Sequence, residues 1–160
     1  ETSGNIRICL SRNKIVFYTE NTTIISKLID GKFPDYNKVI PSNNDKTLEV
    51  SNKELSRSID LVISISADKT KAVKLNLDQG KVTLLANSEA NGSASGVREL
   101  SANYTAEPIS IGFNSRYILD SLNVIDGEKV KFNFANNNTA VIAQDAEDNS
   151  CMYVVMPMQI

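Results

Sequence analysis

The sequence predicts an α+β fold in which one β-α-β-β-β unit is used twice. Three observations carry that prediction. Two helix signatures occur, each directly after a short apolar strand and each followed by alternating, strand-like runs. The first run after each helix matches its counterpart, KAVKLNL in one half against EKVKFNF in the other. The breaks between runs carry the Gly, Asn, Asp and Ser residues that hairpin turns need. Periodicity alone leaves one alternative open, a generic α+β domain with chance similarity between its halves.

The elements follow in chain order. Residues 6–28 alternate as IRICL, KIVFYTE and TTIISKL, with SRN and NTT as turns, and read as three strands. The segment IDGKFPDYNKVIP follows, where Pro34 and Pro41 forbid a regular helix. Polar SNNDK then reads as a linker, so a boundary is expected near residues 42–45, with 1–42 as an incomplete domain and 43–160 as a whole one. Three strands and a loop cannot bury a core alone, so 1–42 is not expected to close on itself.

In the larger part TLEV is a strand, and Ser51 with Glu54 three residues on is a capping-box signature. Leu55, Ile59, Val62 and Ile63 give the apolar face of a helix over about 51–65. KAVKLNL, KVTLLAN and VRELSANY read as strands, with Asp78-Gln79-Gly80 turning the first into the second. The second half begins with PISIG, and Asn114 is the expected cap for a helix through about Ile125. Ile118, Leu119, Leu122 and Ile125 mark its apolar face, with Gly127 as its stop. KVKFNF, TAVIAQ and CMYVVM complete the set.

Composition narrows the function. Hydrophobic residues make up 41%, ordinary for a globular protein, and no run approaches the ~20 apolar residues of a membrane helix. The opening ETSGNIRICL has neither an initiator Met nor a signal pattern and reads as an artificial boundary. Net charge is −2, from 17 basic and 19 acidic residues, so strong phosphate gripping is not expected. With no histidine, the commonest general base and metal ligand is absent. Asp145 and Glu147 sit in the acidic stretch DAEDNS, which a solvated turn explains better than catalysis. Cys9 and Cys151 are far apart in apolar runs; a disulfide is open, but two buried reduced thiols are expected. No metal, no cofactor and no catalytic residue are therefore expected. The N-x-S/T triplets at Asn21, Asn91, Asn103 and Asn137 are read as accidental in so Asn-rich a chain.

Three segments then carry a resemblance. IDGKFPDYNKVIP, GFNSRYILDSL and the terminal YVVMPMQI are similar, in this order, to segments of the bacterial sliding clamp, the DNA polymerase III beta subunit. The resemblance implies the DNA-clamp fold: three similar domains per chain, two β-α-β-β-β repeats per domain and helices on one face of antiparallel sheet. The chain would then be the C-terminal portion, holding the end of the middle domain and the whole last domain. It implies a cytoplasmic processivity factor without catalysis of its own. Its partners would be encircled duplex DNA, DNA polymerase III and other polymerases, the clamp loader and repair proteins, and a second copy in a homodimer when full length. No membrane partner is implied.

Residue by residue, the family's peptide-binding pocket falls on Pro34, Lys38 and Val39, on Asn114 and Tyr117, and on Val154, Met156, Pro157 and Met158. Gln159 and Ile160 stand where many relatives carry Arg and Leu. Without the resemblance, the methionines flanking Pro157, Met156 and Met158, read either as core filler or as a compliant surface for apolar peptides. The ring-closing edge falls on Ile63, Ile65 and the strand KVTLLA, with acidic support only from Glu89 and Glu99. Lys53, Arg57 and Arg116 lie off the apolar helix faces and either look toward DNA or are ordinary solvated charges. A β-rich ligand-binding or surface module without a DNA role is the rival reading.

Overall fold

The structure is a computed structural model that describes residues 4–64, 71–87 and 95–160. It divides into two compact units, residues 1–35 and 36–160.

The first unit is an antiparallel meander of β1 (Arg7–Leu10), β2 (Lys14–Tyr18) and β3 (Thr23–Lys27), in that order across the sheet. Its turns close as the polar breaks foretold: the Ser11 and Thr19 hydroxyls accept from the Lys14 and Thr22 N–H groups at 3.1 Å each. Ile6, Ile8, Leu10, Ile24 and Ile25 are all exposed, and among the described residues no buried apolar side chain precedes Leu48. Cys9 and Cys151 are free and exposed, which corrects the expectation of buried thiols. An apolar run marks a strand but not which of its faces is covered, and Cys151 lies just outside its strand.

The second unit opens with a 3-10 turn at Tyr36–Lys38 and continues through β4 (Lys46–Ser51), α1 (Asn52–Ser64), β5 (Ala72–Asp78), β6 (Lys81–Asn87) and β7 (Ser95–Ser101). The second copy is β8 (Ile109–Asn114), α2 (Ser115–Leu122), β9 (Lys129–Phe134), β10 (Val141–Asp145) and β11 (Tyr153–Val155). The two repeats exchange their first strands. One sheet runs β7-β6-β5-β8 and the other β11-β10-β9-β4, all antiparallel, so β4 completes the second copy's sheet and β8 the first's.

Backbone contacts repeat with the same symmetry. The Asn52 N–H donates to Glu128 O at 2.9 Å and the Ser115 N–H to Lys71 O at 3.1 Å, one at each helix start. Beyond β7 the chain bridges back to β4 through Glu49 and Asn103, and beyond β11 it bridges back to β8 through Gly112 and Met158.

Both helices and both sheets share one core that includes Leu55, Ile59 and Val62 of α1, Ile118 and Leu122 of α2, and Phe113, Phe132 and Phe134 of the strands. Burying these faces is the main favourable term, at roughly 25 cal/mol per Å² of apolar surface. The capping signature at α1 is met in half, with the Glu54 N–H donating to Ser51 Oγ at 3.4 Å. α2 ends three residues earlier than its apolar spacing suggests. Asn123, not Gly127, caps it, its N–H donating to Leu119 O at 2.9 Å. The Asn52 side chain meets that end, with its Nδ2 donating to Ile125 O at 2.8 Å and to Leu122 O at 3.2 Å.

Candidate functional site

The start of α2 sets the first wall of the site. Asn114 is extended, and its Oδ1 accepts the Arg116 N–H at 3.0 Å, an N-cap that satisfies one of the helix's orphan donors. Ser115, fully buried, and Ile118 then point inward, which turns Tyr117 outward at 58% exposure. Asp120 and Ser121 follow on the neighbouring turn, three and four residues on, where a helix stacks side chains. The Ser121 hydroxyl already donates to Ile118 O at 2.7 Å.

The tail sets the second wall. β11 pairs with β10 through Val141–Val155, Ile142–Val154 and Ala143–Tyr153. Val155 faces the core, Val154 is half-buried, and the flanking Met152 and Met156 are 48% and 59% exposed. Core filler is therefore excluded for these two methionines. Tyr117, Asp120 and Ser121 of α2 and Met152–Met156 of the tail together line an open groove of about 530 Å³. Its lining holds one carboxylate and is otherwise dominated by aromatic, valine and thioether surface. Flexible methionines let such a trough fit apolar side chains of different shape. The arrangement can bury apolar groups; it pairs no nucleophile with a base.

Of the expected pocket residues, the groove brings together Tyr117, Val154 and Met156. Asn114 stands behind it as the helix cap. Met158 lines a separate, more polar groove with Lys74, Ser110, Gly112, Asn137, Asn138, Gln159 and Ile160. Pro157, half-buried, joins the two. Lys38 and Val39 lie exposed at the 3-10 turn, where the Val39 N–H donates to Tyr36 O at 2.9 Å. Pro34 is an exposed residue of the first unit. Asp120 and Ser121 escaped the sequence reading, although helical spacing from Tyr117 pointed to them.

Lys53 and Arg57 are exposed on α1 and line a wide groove with Asp60, Asp126, Glu128 and Lys129, so three cations and three carboxylates share it. Glu49 accepts from Lys129 Nζ at 2.8 Å and holds that ammonium's pKa above the usual lysine value. Arg116 is exposed on α2 and does not line this groove. Ile63 is half-buried and packs on the core, while Ile65 and Glu89 lie outside the described residues. The strand KVTLLA is β6, paired on both sides, and β7 is the outermost strand of its sheet. Alternation identifies a strand without saying which neighbour lies outermost. Among the described residues no cluster of three His, Cys, Asp or Glu side chains is arranged to hold a metal.

Residues 37–159 match the family model described as DNA polymerase III beta subunit, C-terminal domain. The chain is 37% identical to the Caulobacter vibrioides beta sliding clamp over 161 aligned residues, covering 100% of this chain and 43% of that protein. It is 33% identical to the Pseudomonas aeruginosa beta sliding clamp, again over 43% of the relative. Among solved structures, a sliding clamp (DNA polymerase III subunit beta) of Bartonella birtlesii bound to griselimycin is similar with a TM-score of 0.88 and 37% identity. The similarity covers 97% of this chain and 41% of that one. The chain thus spans less than half the length of the relatives it matches.

Proposed function

The chain belongs to the DNA polymerase III beta-subunit family, the sliding clamps, and from that premise we propose that it is the partner-binding portion of a ring that slides on duplex DNA. In this reading the ring holds DNA by enclosing it, which needs no base contacts and no basic excess, so a net charge of −2 is no obstacle. The work is tethering in the cytoplasm; the protein carries out no reaction of its own. DNA polymerase III, the clamp loader and repair proteins are the proposed partners, held through short apolar peptide motifs.

The apolar groove between Tyr117 and the Met152–Met156 tail is the observation that supports this best. One or two large apolar side chains of a peptide, burying ~150–250 Å², gain roughly 4–6 kcal/mol at about 25 cal/mol per Å², less the cost of ordering the peptide. Tyr117, Val154 and Met156 are the proposed anchors, with Pro157 and Met158 continuing the site and Asn114 fixing Tyr117. Pro34, Lys38 and Val39 are assigned to the same function by the family resemblance alone. Lys53, Arg57 and Arg116 are proposed to face DNA, and Ile63 and Ile65 to serve ring closure, with homodimerisation as the full-length outcome. The ligand-binding module without a DNA role finds no support in the relatives.

The test uses a fluorescein-labelled pentapeptide with two large apolar side chains, titrated into the chain and followed by anisotropy. Tyr117→Ala and deletion of residues 156–160 should each weaken binding at least tenfold, about 1.4 kcal/mol. Griselimycin, which the Bartonella birtlesii clamp binds, should displace the peptide. Unchanged affinity in both variants would sink the assignment.

A further inference from the structure

The two bridges that return each copy's chain to the opposite sheet are built differently. At the first, Glu49 and Asn103 exchange two backbone hydrogen bonds, of 3.0 and 2.8 Å, and both residues carry side chains. At the second, the Met158 N–H donates to Gly112 O at 2.9 Å. A Cβ on Gly112 would stand 2.4 Å from both Cγ1 and Cδ1 of Ile160 and 2.7 Å from the Met158 carbonyl oxygen. Gly112 is not among the residues with positive φ, so what the site demands is space and not an unusual backbone. The tail lies directly on a bare Cα.

That contact reaches the apolar groove through one residue. Pro157 has a fixed φ and no N–H, so it couples the position of Met158 closely to that of Met156. Met156 in turn belongs to the groove that Tyr117 faces. β11 itself is only three residues long and holds the tail by its upstream end alone. Beyond Val155 the bond at the Gly112 seat is the one backbone–backbone hydrogen bond of the tail among the described residues.

We propose that Gly112 is a positioning residue for the peptide groove: its missing side chain seats Met158–Ile160 and thereby sets the Met156 wall. The inference rests on the groove's assignment to peptide binding. It makes the polar groove around Lys74 and Asn138 a by-product of the seat, since Lys74 is the cross-strand neighbour of Gly112.

Gly112→Ala in the 160-residue chain is the test, read by two independent measurements. Amide hydrogen exchange should speed up at Met158 on the order of tenfold or more, as expected for loss of a hydrogen bond with its packing, while Glu49 and Asn103 keep their protection. Affinity for the labelled pentapeptide should fall by a similar factor. Deleting residues 158–160 should cost at least as much as Gly112→Ala, since it removes Met158 together with the seat, and adding Gly112→Ala to the deletion should cost nothing more. Unaltered Met158 exchange overturns the proposal, and so does faster exchange with undiminished affinity. If Gly112→Ala costs the fold, Ile160→Ala unloads the seat more gently and should still speed Met158 exchange; no change there counts against it. A wild-type chain that binds no peptide overturns the groove's assignment and this role with it, while Met158 exchange still decides the seat.

Discussion

Asp145 shows how a residue with the look of chemistry can be committed to a turn. Its Oδ1 accepts the N–H of Glu147 at 2.9 Å and of Asp148 at 3.4 Å. The Glu147 N–H is the main reason its pKa falls below the ordinary 3.8; desolvation opposes this, and the Asp148 and Gly127 N–H groups add to it. A lowered carboxylate pKa gives stability that is complete above the ordinary value and is lost as pH falls below it through the folded value. An NMR titration should find the Asp145 carboxyl midpoint below 3.8, and Asp145→Asn should remove the acid-dependent loosening of the 145–150 turn. A midpoint at or above the ordinary value overturns this account. Gly127 adds a spatial constraint, since a Cβ there would stand 2.2 Å from Asp145 Oδ2.

The helices show what a sequence displays and what it hides. Their apolar faces were legible because Leu55, Ile59 and Val62, and Ile118 and Leu122, recur at helical spacing and are buried as that spacing requires. The end of α2 was not legible. Ile125 continues the apolar pattern and is buried, yet it lies beyond the helix because Asn52 captures the carbonyls of Leu122 and Ile125. A partner so far away in sequence leaves no local mark. The same limit applies to the site: Tyr117 and the methionines could be named from the family's motifs, whereas the seat at Gly112 depends on a strand pairing that periodicity does not specify. Asn52→Ala should leave these carbonyls poorly satisfied and cost about 1–3 kcal/mol, measured by urea unfolding. A change below about 0.5 kcal/mol would place Asn52 among ordinary surface positions.

For the whole molecule, the two units differ in what holds them. Residues 1–35 form a three-stranded sheet without a buried apolar core among the described residues. As a synthetic peptide that segment should show no cooperative thermal transition by circular dichroism, because three short strands bury too little surface. A sharp melt would show that it folds by itself. The larger unit has the opposite character, and the strand exchange between its repeats sets a schedule for its birth. β4 is made first, and its partner β9 follows ~80 residues later, several seconds at about 5–20 residues per second. Until then β4 offers an unsatisfied edge, and the first repeat lacks the strand that β8 must bring. Neither half can finish before the other has been made, so a nascent chain holds two interdependent fragments, each with an open border that a neighbouring ribosome's product could fill.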